Sequence, residues 1–259
     1  MKVGKAIYNI LSQSTEVQSN FPFTDANYSA SGSELVNDGN FPNGDNWNVG
    51  TGWSIANNKA SVDASGTLTL SQNSVNIVNG KLYKVSIEIT DYVSGFLKPQ
   101  FGGQIIGDFN TGGVKTFFVT ANSSSYATLI LYALGTAKFS VKNISVQEFA
   151  LNKIFPELAP PGVEVPYIVY SVVSNSPSDT KNANGDIDTA NVEVYSFQDT
   201  YNKAVDLGVS VRAALDRKTG TYNTIKIQST NYVNEQMDVN EARKLWAAIQ
   251  DYSIRIKNL

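Results

Sequence analysis

The sequence predicts a sheet-and-helix domain interrupted by a long all-β stretch, and three observations carry that prediction. Residues 188–216 read as a strand running directly into a helix. Between Glu34 and Glu148 short segments alternate apolar and polar side chains, with no helix-period stripe anywhere. The flanking sequence has a different texture: every Arg of the chain (Arg212, Arg217, Arg243, Arg255) lies in the C-terminal part, and none lies between 34 and 148.

Taken in order, Val3, Ala6, Ile7, Ile10 and Leu11 make an apolar stripe over residues 2–13, a helix too short to stand without packing on something. Residues 15–33 are polar and read as a connector, with Phe21, Phe23 and Tyr28 docking on a neighbouring surface. In the middle stretch Tyr83, Val85, Ile87 and Ile89 alternate with Lys84, Ser86, Glu88 and Thr90, and further short strands are expected at 115–121, 127–134 and 138–146. Turn signals at Asn79-Gly80, Ser94-Gly95, Gly102-Gly103 and Gly112-Gly113 punctuate them at the spacing of a β-sandwich. After a Pro-punctuated lead-in, residues 165–173 form a strand with Tyr167, Val169 and Ser171 on one face and Ile168, Tyr170 and Val172 on the other. A polar loop is expected over 174–188, then a strand around Val192 and Val194.

Asp199 and Thr200 are helix N-cap candidates, and Ala204, Leu207, Gly208, Val211, Ala214 and Leu215 fall on one stripe opposite Asn202, Lys203, Asp206 and Ser210. Gly208 costs about 1 kcal/mol of helix propensity, so a close neighbour is expected against it. Residues 222–231 read as a strand. Residues 239–249 have helical propensity, and 249–256 alternate as a strand.

Composition narrows the chemistry. The 259 residues are 42% hydrophobic and 17% charged, enough for real cores, and the net charge of −3 gives no electrostatic footprint for nucleic acid. The absence of Cys removes disulfides and thiolate chemistry, and the absence of His removes Ser-His-Asp catalysis and imidazole metal sites. No apolar run reaches the length of a signal peptide or a membrane span, which predicts a soluble chain without a visible export signal. The acids of residues 34–148, among them Glu34, Asp38, Glu88 and Asp91, sit in no motif that pairs them for glycosidase-type work, so no enzymatic activity is expected.

The segments Glu34-Leu-Val-Asn-Asp-Gly-Asn-Phe41, Gly52-Trp53-Ser-Ile, Asn79-Gly80-Lys81-Leu-Tyr83 and Val141-Lys-Asn-Ile-Ser-Val146 resemble the jelly-roll carbohydrate-binding modules. The resemblance implies an all-β sandwich over residues 33–148 and identifies sugar binding poorly, because the same sandwich serves as a spacer. In that family acids at the positions of Asn40 and Lys142 help hold a structural calcium. A Lys ammonium there repels a cation, so no cofactor is expected and calcium is not favoured. Trp47 is open to two readings, sugar platform or core. Tyr92, Phe96, Gln100, Phe101 and Gln104 mix aromatic surface with amide donors and are the better glycan-contact candidates, with ordinary sheet packing as the competing reading.

The outer pieces carry a second resemblance. The N-terminal helix, Lys153-Ile-Phe-Pro, Val165-Pro-Tyr-Ile-Val-Tyr-Ser, the helix Asp199-Thr-Tyr through Val211-Arg-Ala-Ala-Leu215 and the closing Asp251-Tyr-Ser-Ile-Arg-Ile resemble the tail-completion, or tail-terminator, proteins of tailed bacteriophages. The resemblance implies an α+β tail-terminator-like domain, an antiparallel sheet flanked by helices, from residues 1–22 and 150–259, with the jelly-roll sandwich inserted. It resolves the C-terminal ambiguity toward strand from about Lys244. It implies a neck subunit of the virion, made in the bacterial cytoplasm, that closes a homo-oligomeric ring, hexameric or twelvefold, between portal or connector and tail tube proteins. The alternative is adhesion through the sandwich to a host-surface glycan.

The loop residues Asn175, Ser176, Asp179, Lys181, Asn184 and Asp186 are the candidates for contact with a neighbouring subunit. A calcium-loop reading of the same stretch fails, because Thr180 and Asn191 stand where Asp and a bidentate Glu are required. Arg212 and Arg217 read either as cations suited to a helix C-terminus or as ring contacts.

Overall fold

The structure, a computed structural model of the chain, describes residues 2–73, 75–122, 128–177, 187–222, 224–241 and 243–257. In chain order the elements are α1 (Lys2–Gln13), α2 (Thr15–Gln18), β1 (Tyr28–Glu34), β2 (Asn48–Val49), β3 (Trp53–Ala56), β4 (Lys59–Asn73), β5 (Leu82–Phe101), β6 (Gln104–Ile105), β7 (Gly113–Thr120) and β8 (Thr128–Leu151). They continue with β9 (Ile154–Pro156), β10 (Tyr167–Pro177), β11 (Ile187–Gln198), α3 (Tyr201–Leu215), β12 (Gly220–Tyr222), β13 (Ile225–Asn240) and β14 (Leu245–Lys257). The chain is mostly β, in antiparallel sheets, and divides into two compact units: Met1–Ser29 with Leu151–Leu259, and Ala30–Ala150.

In the first, discontinuous unit the described strands form one sheet in the order β12-β13-β14-β11-β10-β9, antiparallel except for β9 beside β10. Period-two alternation decides which side chains meet the helices. Val194 is opposite Tyr170 on one side and Gln250 on the other, and Ser196 is opposite Ile168 and Ala248, so these residues share a face. That face is buried, as are Val3, Ala6, Ile7, Ile10 and Leu11 of α1. On α3 the buried residues are Ala204, Leu207, Gly208, Val211, Ala214 and Leu215, and Thr200 caps its first turn by accepting the Lys203 N–H at 3.4 Å. Gly208 has a concrete reason: a Cβ there would lie 2.9 Å from the Ala248 methyl. The Gly208 carbonyl also accepts a hydrogen bond from the buried Gln250 amide at 2.9 Å.

In the second unit one antiparallel sheet is built on three long strands. β8 runs between β4 and β5, pairing Leu131 with Leu70 and with Pro99. β5 carries β7 and β6 on its other edge, β4 carries β2 and β3, and β1 pairs with β8. One side of this sheet is apolar throughout (Leu70, Val85, Leu97, Phe101, Leu131, Phe139) and buried around Trp53 and Phe41.

Several expectations need correction. Ser94-Gly95 is not a turn. It lies inside β5 as a register shift, where a Cβ on Gly95 (φ +91) would come within 2.5 Å of the Ala137 Cα, so the residue serves a close strand crossing. The strands of this unit are correspondingly longer than expected. The connector 15–33 holds α2 and the start of β1. Residues 174–177 and 187–188 are not loop: Ser174 pairs with Asn191 and Pro177 with Asp188, which extends the β10–β11 hairpin. Among the described residues no helix covers 239–249, because β13 runs on to Asn240, paired with β14.

Candidate functional site

The helix-free face of the six-stranded sheet bears a row of aromatic rings. Tyr167 on β10 stacks on Phe197 of β11 at 4.7 Å, Phe197 lies 6.2 Å from Tyr195, and Phe155 of β9 meets Tyr167 edge-on at 6.4 Å. The register accounts for this, since Tyr167 is opposite Phe197 and odd-numbered β11 residues point away from α3. The Pro-punctuated segment after β9 (Leu158, Pro160, Val163) and the β13–β14 turn (Asn240, Arg243, Leu245) wall this row into a cavity of about 330 Å³. Burial raises the Tyr167 hydroxyl above its ordinary pKa, opposed by the nearby Arg243 guanidinium. The Tyr195 hydroxyl donates to the Glu193 carboxylate at 2.6 Å, which pushes its pKa up to about 12 because ionisation would set two anions together. The cavity is lined by the rings of Tyr167, Tyr195 and Phe197 together with the polar side chains of Glu157, Ser171, Asn240 and Arg243.

At the other end of the same sheet the paired β10–β11 hairpin carries Asn175 and Ser176. Asn175 donates to Asp188 Oδ2 at 3.3 Å, and Asn191 donates to Ser174 Oγ at 2.9 Å. Asp179, Lys181, Asn184 and Asp186 lie outside the described residues. Of the two helix cations, Arg212 is placed over the Tyr232 ring at 3.8 Å, and Arg217 is fully outward with Asp216 3.9 Å away. Sequence reasoning missed this use of Arg212, since its partner Tyr232 lies on a strand 20 positions further on.

In the unit Ala30–Ala150 the proposed glycan-contact residues separate. Trp47 and Phe101 cannot be platforms: both are buried in the core, with the Trp47 indole N–H donating to the Asp38 carbonyl at 3.1 Å and Phe101 edge-on to Tyr83. Tyr92 is half-buried, stacks on Phe139 and donates its hydroxyl to the Gly95 carbonyl, so it supports the β5 bulge. Gln104 donates to the Thr120 carbonyl at 2.6 Å. Phe96, 44% exposed, and Gln100 do lie on the outward side, and the strand register sets Lys98 between them. Across β8 they face Leu134, Tyr132 and Ile130, and across β4 come Thr67, Thr69 and Ser71. The Tyr132 hydroxyl donates to Gln100 Oε1 at 2.9 Å, and Lys98 pairs with Asp108 at 3.1 Å. Lys98 and Tyr132 were legible in principle, being in phase with Gln100 once β5 and β8 are paired.

The acids of the family-like opening do not fit a cation. Glu34 Oε1 accepts the N–H groups of Leu35, Val36 and Val146, and Oε2 accepts the Ser145 hydroxyl at 2.6 Å. Asp38 accepts the Gly44 N–H at 2.8 Å, and Lys142 is drawn to Glu88 at 3.4 Å. Among the described residues no cluster of three or more acids could hold a metal ion.

Residues 141–257 match the family of the tail completion protein gp17, beginning in the last part of β8 and ending with β14. The matched stretch is a little under half of the chain, and over it the chain is similar to a structural protein of phage tails. No curated protein matches it in sequence. Among solved structures, the virion of a native gene transfer agent particle contains a chain that superposes with a TM-score of 0.34 at 10% identity, over 41% of this chain and 80% of that one. The CBM22-1 xylan-binding domain from Paenibacillus barcinonensis Xyn10C aligns with a TM-score of 0.32 at 10% identity, over 46% of this chain and 97% of that one. The C-terminal CBM6 of LamC from Zobellia galactanivorans aligns with a TM-score of 0.29 at 14% identity, over 39% and 90%. Among the described residues no helix is long and apolar enough to cross a membrane.

Proposed function

We propose that the chain is a ring-forming neck subunit, a tail terminator that joins head to tail, and that the unit Ala30–Ala150 is a jelly-roll sandwich inserted into it as decoration. The observation that carries the reading is the tail-completion match over residues 141–257, which spans the whole of the sheet from β9 to β14 together with α3. The mechanism is assembly: six or twelve copies close a cyclic interface, one rim meeting portal or connector and the other the tail tube. No step requires catalysis. β10 and β11 are paired out to Pro177 and Asp188, and the sequence between them, 178–186, is the stretch assigned here to contact with a neighbouring subunit.

Electron microscopy of the purified protein and of virions tests the reading. Rings at the head–tail junction are expected. Replacing 178–186 with a two-residue turn should leave the melting temperature nearly unchanged and abolish incorporation. Normal tailed particles from that variant would sink the role assigned to the loop, and a chain that never forms rings in either setting would sink the neck assignment.

A second reading, glycan adhesion through the unit Ala30–Ala150, is favoured by one observation: the outward row Phe96, Lys98 and Gln100 beside Tyr132 combines aromatic faces with an amide and a hydroxyl. Adsorption of virions to host cells that falls on Phe96→Ala and Tyr132→Ala, with assembly intact, would support it. Unchanged adsorption would dismiss it.

A further inference from the structure

We infer that the six-stranded sheet continues from one copy of the chain into the next, the free edge of β13 in one subunit taking the free edge of β10 of its neighbour as an antiparallel partner. The inference rests on the ring reading above and names the surface that closes the ring.

The two edges are built alike. β12 covers β13 over 225–227, and further along the Arg217 N–H donates to the Thr230 carbonyl at 2.7 Å. The last covered N–H, that of Tyr232, is taken by the Asp216 carboxylate at 3.0 Å. The next residue, Val233, is the extra residue of a register shift and is 61% exposed. Beyond it the described residues of β13 bond to β14, and their outer side carries one local cap, Asp238 accepting the Val239 N–H at 2.8 Å.

On the opposite side of the sheet β9 covers β10 over 168–170, and the Glu157 N–H donates to the Tyr170 carbonyl at 2.9 Å. The last covered N–H, that of Val172, is taken by the Glu157 carboxylate at 3.4 Å. The next residue, Val173, is again the extra residue of a register shift and is 59% exposed. From there to Pro177 the backbone pairs with β11 alone among the described residues. Each edge is thus covered, closed by a carboxylate, and released at an exposed bulged valine.

Direction and position fit a repeating contact. β13, β14, β11 and β10 alternate in direction, so β13 and β10 run oppositely, and a rotation that carries one copy onto the next brings them together antiparallel. The contact is heterologous, so it repeats from copy to copy and gives a ring where the rotation closes. The free part of β13 lies toward the β13–β14 turn and that of β10 toward the β10–β11 tip, so pairing steps each sheet along the strand axis. The same shear tilts strands when a sheet closes on itself. Unpaired edges with few charges and no interior Pro are the usual substrate for strand addition.

The chain has no cysteine, so the test has a clean background. Cysteines are placed singly over 173–176 and 233–237, beginning with Val173→Cys and Val233→Cys, and the assembled full chain is oxidised and run under denaturing, non-reducing conditions. A double variant is expected to give a ladder of covalent multimers up to the ring number, a mixture of the two single variants a heterodimer, and each single variant alone a monomer. Val233→Lys should raise the concentration needed for assembly by about tenfold or more without lowering the melting temperature. Cross-linking of a single variant with itself would show an isologous contact and overturn the inference. So would rings, visible by electron microscopy, in which no pair cross-links and Val233→Lys assembles normally. A chain that forms no rings fails at the earlier step, the neck assignment itself.

Discussion

In the unit Ala30–Ala150, Glu34 spends its carboxylate on three backbone N–H groups and a serine hydroxyl, and Trp47 is sealed into the core with its N–H bonded. In the discontinuous unit Asp216 and Glu157 also accept backbone N–H groups, but each does so at the point where a strand edge is let go. The same chemistry fastens the end of β1 to β8 in one case and marks a released edge in the other. Both units leave single apolar side chains outside (Val114 and Ile105 in one, Val209 and Val233 in the other), so exposure alone does not distinguish them. The difference lies in what the backbone does beside the exposed residue. It teaches that an interface is better sought where hydrogen-bond cover stops than where hydrophobicity is highest.

The largest way to break this comparison is to separate the units. If Ala30–Ala150 satisfies itself, a chain of residues 30–150 should melt cooperatively with β-type circular dichroism, and replacing 30–150 by a short Gly/Ser linker should leave the remainder folded. An insoluble or molten remainder would show that the division is one of contacts and not of stability. Next in size, Leu215→Asp puts an unpaired carboxylate into the fully buried contact between α3 and the sheet and should cost several kcal/mol. Lys203→Asp on the exposed face should stay within about 0.5 kcal/mol, and equal effects in denaturant titrations would mean the faces are misassigned. In the other unit Trp47→Ala should cost about 3–5 kcal/mol while the exposed Phe96→Ala stays near zero, the sharpest test of which aromatic is core.

Gly208→Ala is a smaller contest. Helix propensity favours Ala by about 1 kcal/mol, yet the new methyl must displace Ala248, and overpacking of this kind costs about 1–3 kcal/mol. A net loss of about 1 kcal/mol in urea unfolding is expected, and a gain would show that α3 can lift. The smallest effect concerns Tyr195. Its folded pKa, raised to about 12 from 10.0 by Glu193, favours the neutral phenol in the folded state. That contribution is complete below about pH 10 and disappears as pH rises toward 12. Glu193→Gln should flatten this alkaline decline, measured by thermal melts across the window, and an unchanged slope would assign it to other tyrosines.

Much of this was legible from residues alone. The α3 stripe was complete because every buried position obeys one period and Thr200 marks its start. The alternation of Tyr167 through Val172 assigned both faces of β10 correctly. What escaped was structure imposed from a distance. Residues 233–240 are polar and weakly disposed to be strand, and pairing with Trp246 through Asp251 overrides that preference. Ser94-Gly95 looks like a turn by local chemistry and becomes a bulge because β8 continues past it. Phe101 was grouped with Gln100 by composition, whereas period two sends neighbours to opposite sides, so Phe101 was core by the rule that served elsewhere. The open edges of β13 and β10 have no sequence signature, since an edge is defined by which strands are absent beside it.

The discontinuity of the first unit has a consequence in time. α1 packs against β9 and β10, and the Asn152 N–H reaches back to the Asn27 carbonyl at 2.9 Å, so the unit cannot begin to close until the chain beyond residue 150 exists. During synthesis α1 leaves the ribosome on the order of ten seconds before its partners do. For that interval the stripe of Val3, Ala6, Ile7, Ile10 and Leu11 faces water or a chaperone. If the intervening unit folds first, it draws its two ends together and spares α1 most of the loop-closure entropy of a chain that long. In that case the unit Ala30–Ala150 sets the order in which the discontinuous unit closes.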